Sequence, residues 1–169
     1  NYFIDIRTGA YYSKWEQKII RLFSVTSKKR KNYHMMKAIV ILAEGFEEIE
    51  AVTCIDVLRR SGVAVLVAGI NDIKVAGSHG ITVVADKKLT GADTEFDALI
   101  LPGGMPGAQN LAHSKIVNAL ITKANREGKI IAAICAAPSL VLGPSGILKN
   151  RSVTGFPGML DNFDTTTRY

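Results

Sequence analysis

The chain has 169 residues, 47% hydrophobic and 21% charged, a composition that fits one globular domain with a sizeable core. No apolar run is long enough to cross a bilayer, and two cysteines, Cys54 and Cys135, offer neither a disulfide framework nor a metal-ligand spacing, as in a reducing compartment. The whole net charge of +6 falls in residues 1–34, where eight Lys or Arg face only Asp5 and Glu16. From Met35 onward thirteen basic residues balance thirteen acidic ones, so neither a nucleic-acid site nor a membrane-binding face is indicated.

Residues 1–34 read as a basic extension ahead of a domain spanning 35–169. "SKWEQKIIRLF" (13–23) predicts a short amphipathic helix with Trp15, Ile19, Leu22 and Phe23 on one face, and "SVTSKKRKNYH" a linker. Two readings stay open: an organellar presequence, which implies a mitochondrial location, or non-native sequence, which leaves a cytoplasmic one.

The domain then alternates. "KAIVILA" (37–43) predicts a buried strand, residues 47–61 a helix stopped by Gly62, and "VAVLVAGI" (63–70) a second strand. A hairpin is expected to turn near Ser78–Gly80. "FDALILPGG" (96–104) is a third apolar strand, residues 107–127 a helix burying Leu111, Ile116, Leu120 and Ala124, and "KIIAAI" (129–134) a further strand before a helix over 136–143. Apolar strands without alternation, separated by helices, predict a parallel sheet covered on both faces, a doubly wound α/β fold.

Such sheets bind ligands at the carboxyl ends of their strands. Three junctions there carry chemistry: "AEGFEEIE" with Glu44, Glu47, Glu48 and Glu50, "LPGGMPG" with Gly103 and Gly104, and the strand end at Cys135. Glu47 and Glu48 are accounted for by the helix macrodipole. Glu50, beside Ile49 and Val52, is expected to be partly buried. "PGGMPG" does not match the dinucleotide pattern. A free cysteine taken alone is more often core filler than nucleophile, and Cys54, in mid-helix, is read as filler. Position favours Cys135: a thiol at the first turn of a helix meets unpaired N–H groups, which predicts ionisation below that of a free cysteine. A strand–nucleophile–helix turn would also expose the thiol, and the N–H groups of Ala136 and Gly104 could form an oxyanion site.

"AIVILAEGFEEIEAV", "LPGGMPGAQNL", "IAAICAAPSLVL" and "SVTGFP", in this order, resemble the ThiJ/PfpI family and, within it, the parkinsonism-associated deglycase branch. The resemblance covers about Lys37 to Pro157. It implies a flavodoxin-like three-layer sandwich, a homodimer and no required cofactor or metal. It also implies a reactive cysteine at Cys135, a glutamate hydrogen-bonded to it at Glu50, and oxyanion amides at Gly104 and Ala136.

Relatives with a histidine in the "VTTHP" segment differ from this chain, which has Phe156 there. The protease-like branch has a histidine where Ala136 stands, so Cys–His peptidase chemistry is not expected. The chain stops before the family's "S-R-G-P-G"-type loop and closing helices, so a C-terminally incomplete domain is expected. Gly103 and His79 are candidate substrate or interface contacts, His79 lying near where relatives carry an interface arginine. The expected activity is a glutathione-independent glyoxalase or deglycase acting on methylglyoxal, glyoxal or early glycation adducts. The alternative is a redox-sensing or chaperone-like stress protein whose cysteine oxidises to sulfinate.

Overall fold

The computed structural model describes residues 2–5, 10–13, 35–93, 95–159, 163 and 167. Near the N-terminus, β1 (Tyr2–Asp5) and β2 (Ala10–Ser13) pair antiparallel in a sheet of their own, which the reading of a basic extension did not anticipate. The expected amphipathic helix and linker lie, apart from Ser13, outside the described residues.

From Lys37 the chain builds the domain. β3 (Lys37–Leu42) leads into α1 (Glu48–Arg60), and β4 (Ala64–Gly69) follows. A hairpin of β5 (Lys74–Ala76) and β6 (Thr82–Val84) turns through residues 77–81, and β7 (Lys87–Lys88) is a short strand. Among the described residues β8 (Ala98–Leu101), α2 (Gly107–His113), α3 (Lys115–Arg126) and β9 (Ile130–Ala133) complete the regular elements, with a π-helical turn over Pro138–Leu142. Five strands form one sheet in the order β7-β4-β3-β8-β9, and every neighbouring pair is parallel.

Parallel strands joined by crossovers must bury both faces. Along β3, Ile39 and Ile41 enter one core with Leu99, Leu101, Leu111, Val117 and Ile121, under α2 and α3. Ala38, Val40 and Leu42 enter the other, with Ala51, Cys54, Ile55 and Leu58 of α1. Those four α1 residues recur at i, i+3, i+4 and i+7, the stripe of a helix buried on one side. Helices on both faces make the three-layer, doubly wound arrangement that the sequence predicts.

Three local expectations need correction. The helix over 107–127 is two helices. Ser114 is extended (ψ 115°), and its hydroxyl accepts from the Val117 N–H at 3.4 Å, so an N-cap restarts the helix. The helix over 136–143 is only the five-residue π-helical turn. Ile49 and Val52 are 76% and 47% exposed, so they do not shelter Glu50.

β3 pairs with β4 on one side and β8 on the other, so successive crossovers leave it in opposite directions. That is a topological switch point, and the crevice lies outside the carboxyl ends of β3 and β8.

Candidate active site

Three strand ends converge at this crevice. After β3 the chain turns through Gly45 and Phe46 into α1, which carries Glu50 in its first turn. After β8 come Pro102, Gly103 and Gly104, and after β9 come Ile134 and Cys135. Two glycines permit so close an approach. A Cβ at Gly103 would lie 2.8 Å from both the Cys135 Cβ and Glu50 Oε2. Gly104 sits at φ 90°, where side chains are strained, and a Cβ there would overlap the Glu47 amide.

The Gly103 N–H donates to Glu50 Oε2 at 2.8 Å. Glu50 also shares a hydrogen bond with the Cys135 thiol, and the Ala136 and Gly104 N–H groups donate to the same sulfur. Cys135 holds φ at 58°, a conformation costing a non-glycine residue about 1–3 kcal/mol. The turn is held by neighbours: the Ala137 N–H donates to the Ile134 carbonyl at 3.0 Å, and the Phe156 N–H to the Cys135 carbonyl at 2.7 Å.

The electrostatics differ from the sequence expectation. Burial pushes the Glu50 carboxyl up, and nearby Glu47 adds to this, while the Gly103 N–H and the thiol oppose it. Burial likewise pushes the Cys135 thiol up, reinforced by the Glu50 charge and its hydrogen bond and opposed by the amides of Ala136 and Gly104. The expected depression of the Cys135 pKa is therefore not found. No regular α-helix starts at Cys135; two amides reach the sulfur, and an acidic partner faces it. The two acids act on each other's ionisation and form a coupled pair. Cys54 is pushed to about 11 by burial and by Glu50, in keeping with its reading as a core residue.

The structure thus brings together Cys135, Glu50, Gly103, Gly104 and Ala136. His79 is placed elsewhere, on the 77–81 turn, with Nδ1 3.1 Å from Glu48 Oε2 and 3.6 Å from Glu47 Oε1. Glu48 is the residue that sequence reasoning undervalued. It is buried and accepts from the N–H groups of His79 (2.8 Å) and Ile81 (3.3 Å), tying the β5–β6 turn to the start of α1. Burial acts to raise its pKa, but the hydrogen bonds from its own N–H, from the His79 ring and from these two amides outweigh it and hold the carboxyl at about 2. Glu47, Glu48 and His79 could approach a common metal ion by distance alone, yet their hydrogen bonds already give them a structural task. Phe156, at the position where relatives carry a histidine, hydrogen-bonds through its backbone N–H to the Cys135 carbonyl.

The DJ-1/PfpI family model matches residues 36–168, most of the chain. The chain belongs to this family. A structure described as "Toxoplasma gondii DJ-1, oxidized" shares 40% identity and a TM-score of 0.73, covering 79% of this chain and 74% of that one. Arabidopsis thaliana protein DJ-1 homolog A is 39% identical over 130 residues, 76% of this chain and 33% of that protein. A deglycase of Pyrococcus abyssi is 34% identical over 128 residues, 75% of this chain and 76% of that enzyme. The chain thus spans about a third of the Arabidopsis relative. These findings establish the flavodoxin-like fold and a DJ-1-type protein.

Proposed function

We propose that the protein converts small 2-oxoaldehydes, methylglyoxal and glyoxal, to 2-hydroxy acids without glutathione, and removes early aldehyde adducts from amines by the same chemistry. The observation that carries this reading is the coupled Glu50–Cys135 pair, with the Gly103 N–H on the carboxylate and two further amides on the sulfur. One proton moves between the two acids. With it on Glu50, the sulfur is a thiolate held by the Ala136 and Gly104 amides, at a turn with the geometry of a nucleophile elbow.

The thiolate adds to the aldehyde carbon, and the carbonyl oxygen takes the Glu50 proton to give a hemithioacetal. Glu50, now a carboxylate, removes the hydrogen from that carbon to give an enediol and returns that proton to the adjacent carbon, while the hemithioacetal O–H proton passes to the adjacent oxygen, leaving a thioester beside a new hydroxyl. Water cleaves the thioester, releasing a hydroxy acid and regenerating the thiol. The balance is one water added to one oxoaldehyde, with no external oxidant. The deglycase name of the Pyrococcus relative supports the reaction class.

A second reading is a redox-responsive protein whose Cys135 oxidises to sulfinate. The oxidised state named for the Toxoplasma relative favours it, and the same donors could hold sulfinate oxygens. Glu50→Gln separates the two: it keeps a hydrogen-bonding group but cannot carry the proton. Lactate formation from methylglyoxal is expected to vanish while Cys135 still reacts with peroxide. Undiminished lactate would exclude the proton shuttle, and a wild-type chain that makes no lactate yet forms sulfinate at low peroxide would favour the second reading.

A further inference from the structure

The loops that carry the thiol and its donors also determine what can approach it. Residues 102–107, 134–138 and 152–159 read "PGGMPG", "ICAAP" and "SVTGFPGM", without a single charged residue. The remaining segment at the crevice, residues 44–50, contributes Glu44, Glu47, Glu48 and Glu50. Among the described residues on these segments every charge is therefore a carboxylate. His79, the base beside them, is engaged with Glu47 and Glu48. Among the described residues of these segments a phosphate or carboxylate on a substrate would find no cation and would meet like charge.

Two large apolar side chains stand on these loops. Met105 follows Gly104, whose amide is on the sulfur, and is 42% exposed. Phe156 donates its N–H to the Cys135 carbonyl at 2.7 Å, yet its side chain is 50% exposed. The Phe156 loop is pinned at both ends: the Met159 N–H donates to the Phe156 carbonyl at 3.3 Å, and the Ser139 hydroxyl donates to the Met159 carbonyl. Exposed apolar residues on two of the loops that meet Cys135 offer a contact surface for an apolar substituent.

Resting on the reading above, we infer that Phe156 and Met105 make the site selective for uncharged oxoaldehydes with an apolar or aryl substituent, against those bearing a carboxylate or phosphate. The test compares kcat/KM of the full chain for phenylglyoxal, 4-carboxyphenylglyoxal and methylglyoxal, in the wild type, Phe156→Ala and Phe156→Arg. In parallel, Cys135 alkylation by iodoacetamide and iodoacetate is measured by peptide mass and normalised to free cysteine.

The wild type is expected to prefer phenylglyoxal to its carboxylated analogue by at least about tenfold, and Phe156→Ala to cut the phenylglyoxal-to-methylglyoxal ratio by about tenfold. Phe156→Arg is expected to raise the rate with 4-carboxyphenylglyoxal, and iodoacetamide to outpace iodoacetate beyond the free-thiol ratio. No turnover of any aldehyde, with iodoacetamide still favoured, would remove the proposed reaction but sustain the selectivity. Equal normalised alkylation rates, or ratios that ignore residue 156, would overturn the inference.

Discussion

Gly103→Ala tests whether close approach of backbone to the reacting pair makes the site. Gly103 does not need a left-handed conformation, so the substitution acts through space alone. The new methyl would lie 2.8 Å from the Cys135 Cβ and from Glu50 Oε2, and 3.0 Å from the Ile134 carbonyl oxygen. Reaching ordinary contact at 3.4 Å requires the first two to retreat by about 0.6 Å. The Glu50 carboxyl can swing aside, but the Cys135 Cβ and the Ile134 carbonyl belong to a turn already strained at φ 58°. Overpacking of this kind costs about 1–3 kcal/mol, a loss of several degrees in Tm. The larger effect is on chemistry. Parting the carboxyl from the sulfur by most of an ångström is expected to lower kcat for lactate formation about 100-fold. Gly128→Ala is the control: at φ 64° it suffers backbone strain, but its Cβ enters open space far from the crevice. It should lose stability and keep activity. Thermal melting and lactate assays on both variants decide the matter. A Gly103→Ala protein with wild-type Tm and lactate yield within twofold would refute the packing argument.

Other outcomes follow from the charges. Because the Glu50 charge and hydrogen bond hold the Cys135 thiol up while two amides draw it down, Glu50→Gln should lower the thiol pKa. Thiolate absorbance against pH, with Cys135→Ser as blank, checks this, and an unchanged or higher value would contradict the coupling. For Glu48 the folded pKa of about 2 lies below the ordinary 4.5. Its stabilisation is therefore full above the unfolded value and lost as pH falls towards 2. Urea midpoints should show Glu48→Gln less stable than wild type at pH 6, the gap closing in acid; parallel curves would count against it.

How much of this was legible beforehand differs by residue. Cys135 could be located because an apolar strand with small flanking residues ends on it, a local pattern. Glu50 was singled out correctly as half-buried but for the wrong reason: Ile49 and Val52 face solvent, and the shelter comes from the Gly103 loop. Glu48 looked like an ordinary first-turn acid because its partners, His79 and Ile81, lie 31 and 33 residues away on a hairpin. The break at Ser114 could have been read from its N-capping chemistry, but the apolar periodicity on either side masked it. The thiol's pKa failed for a related reason: a helix start can be read locally, whereas the acid facing the sulfur comes from another strand end. Local periodicity sets the elements and their order, and long-range contact sets protonation.

The hydrogen bond from Gly103 to Glu50 closes a loop of 53 residues, and Cys135 lies further along the chain still. Contacts so distant form only after a large entropic cost of loop closure has been met by the sheet itself. In a chain made from its N-terminus, Glu50 emerges first, waits for the Gly103 loop, and meets the thiol only when β9 has docked. Until then Cys135 is an ordinary, solvent-facing cysteine, and whatever reactivity the finished site confers on it arrives with the last of these strands.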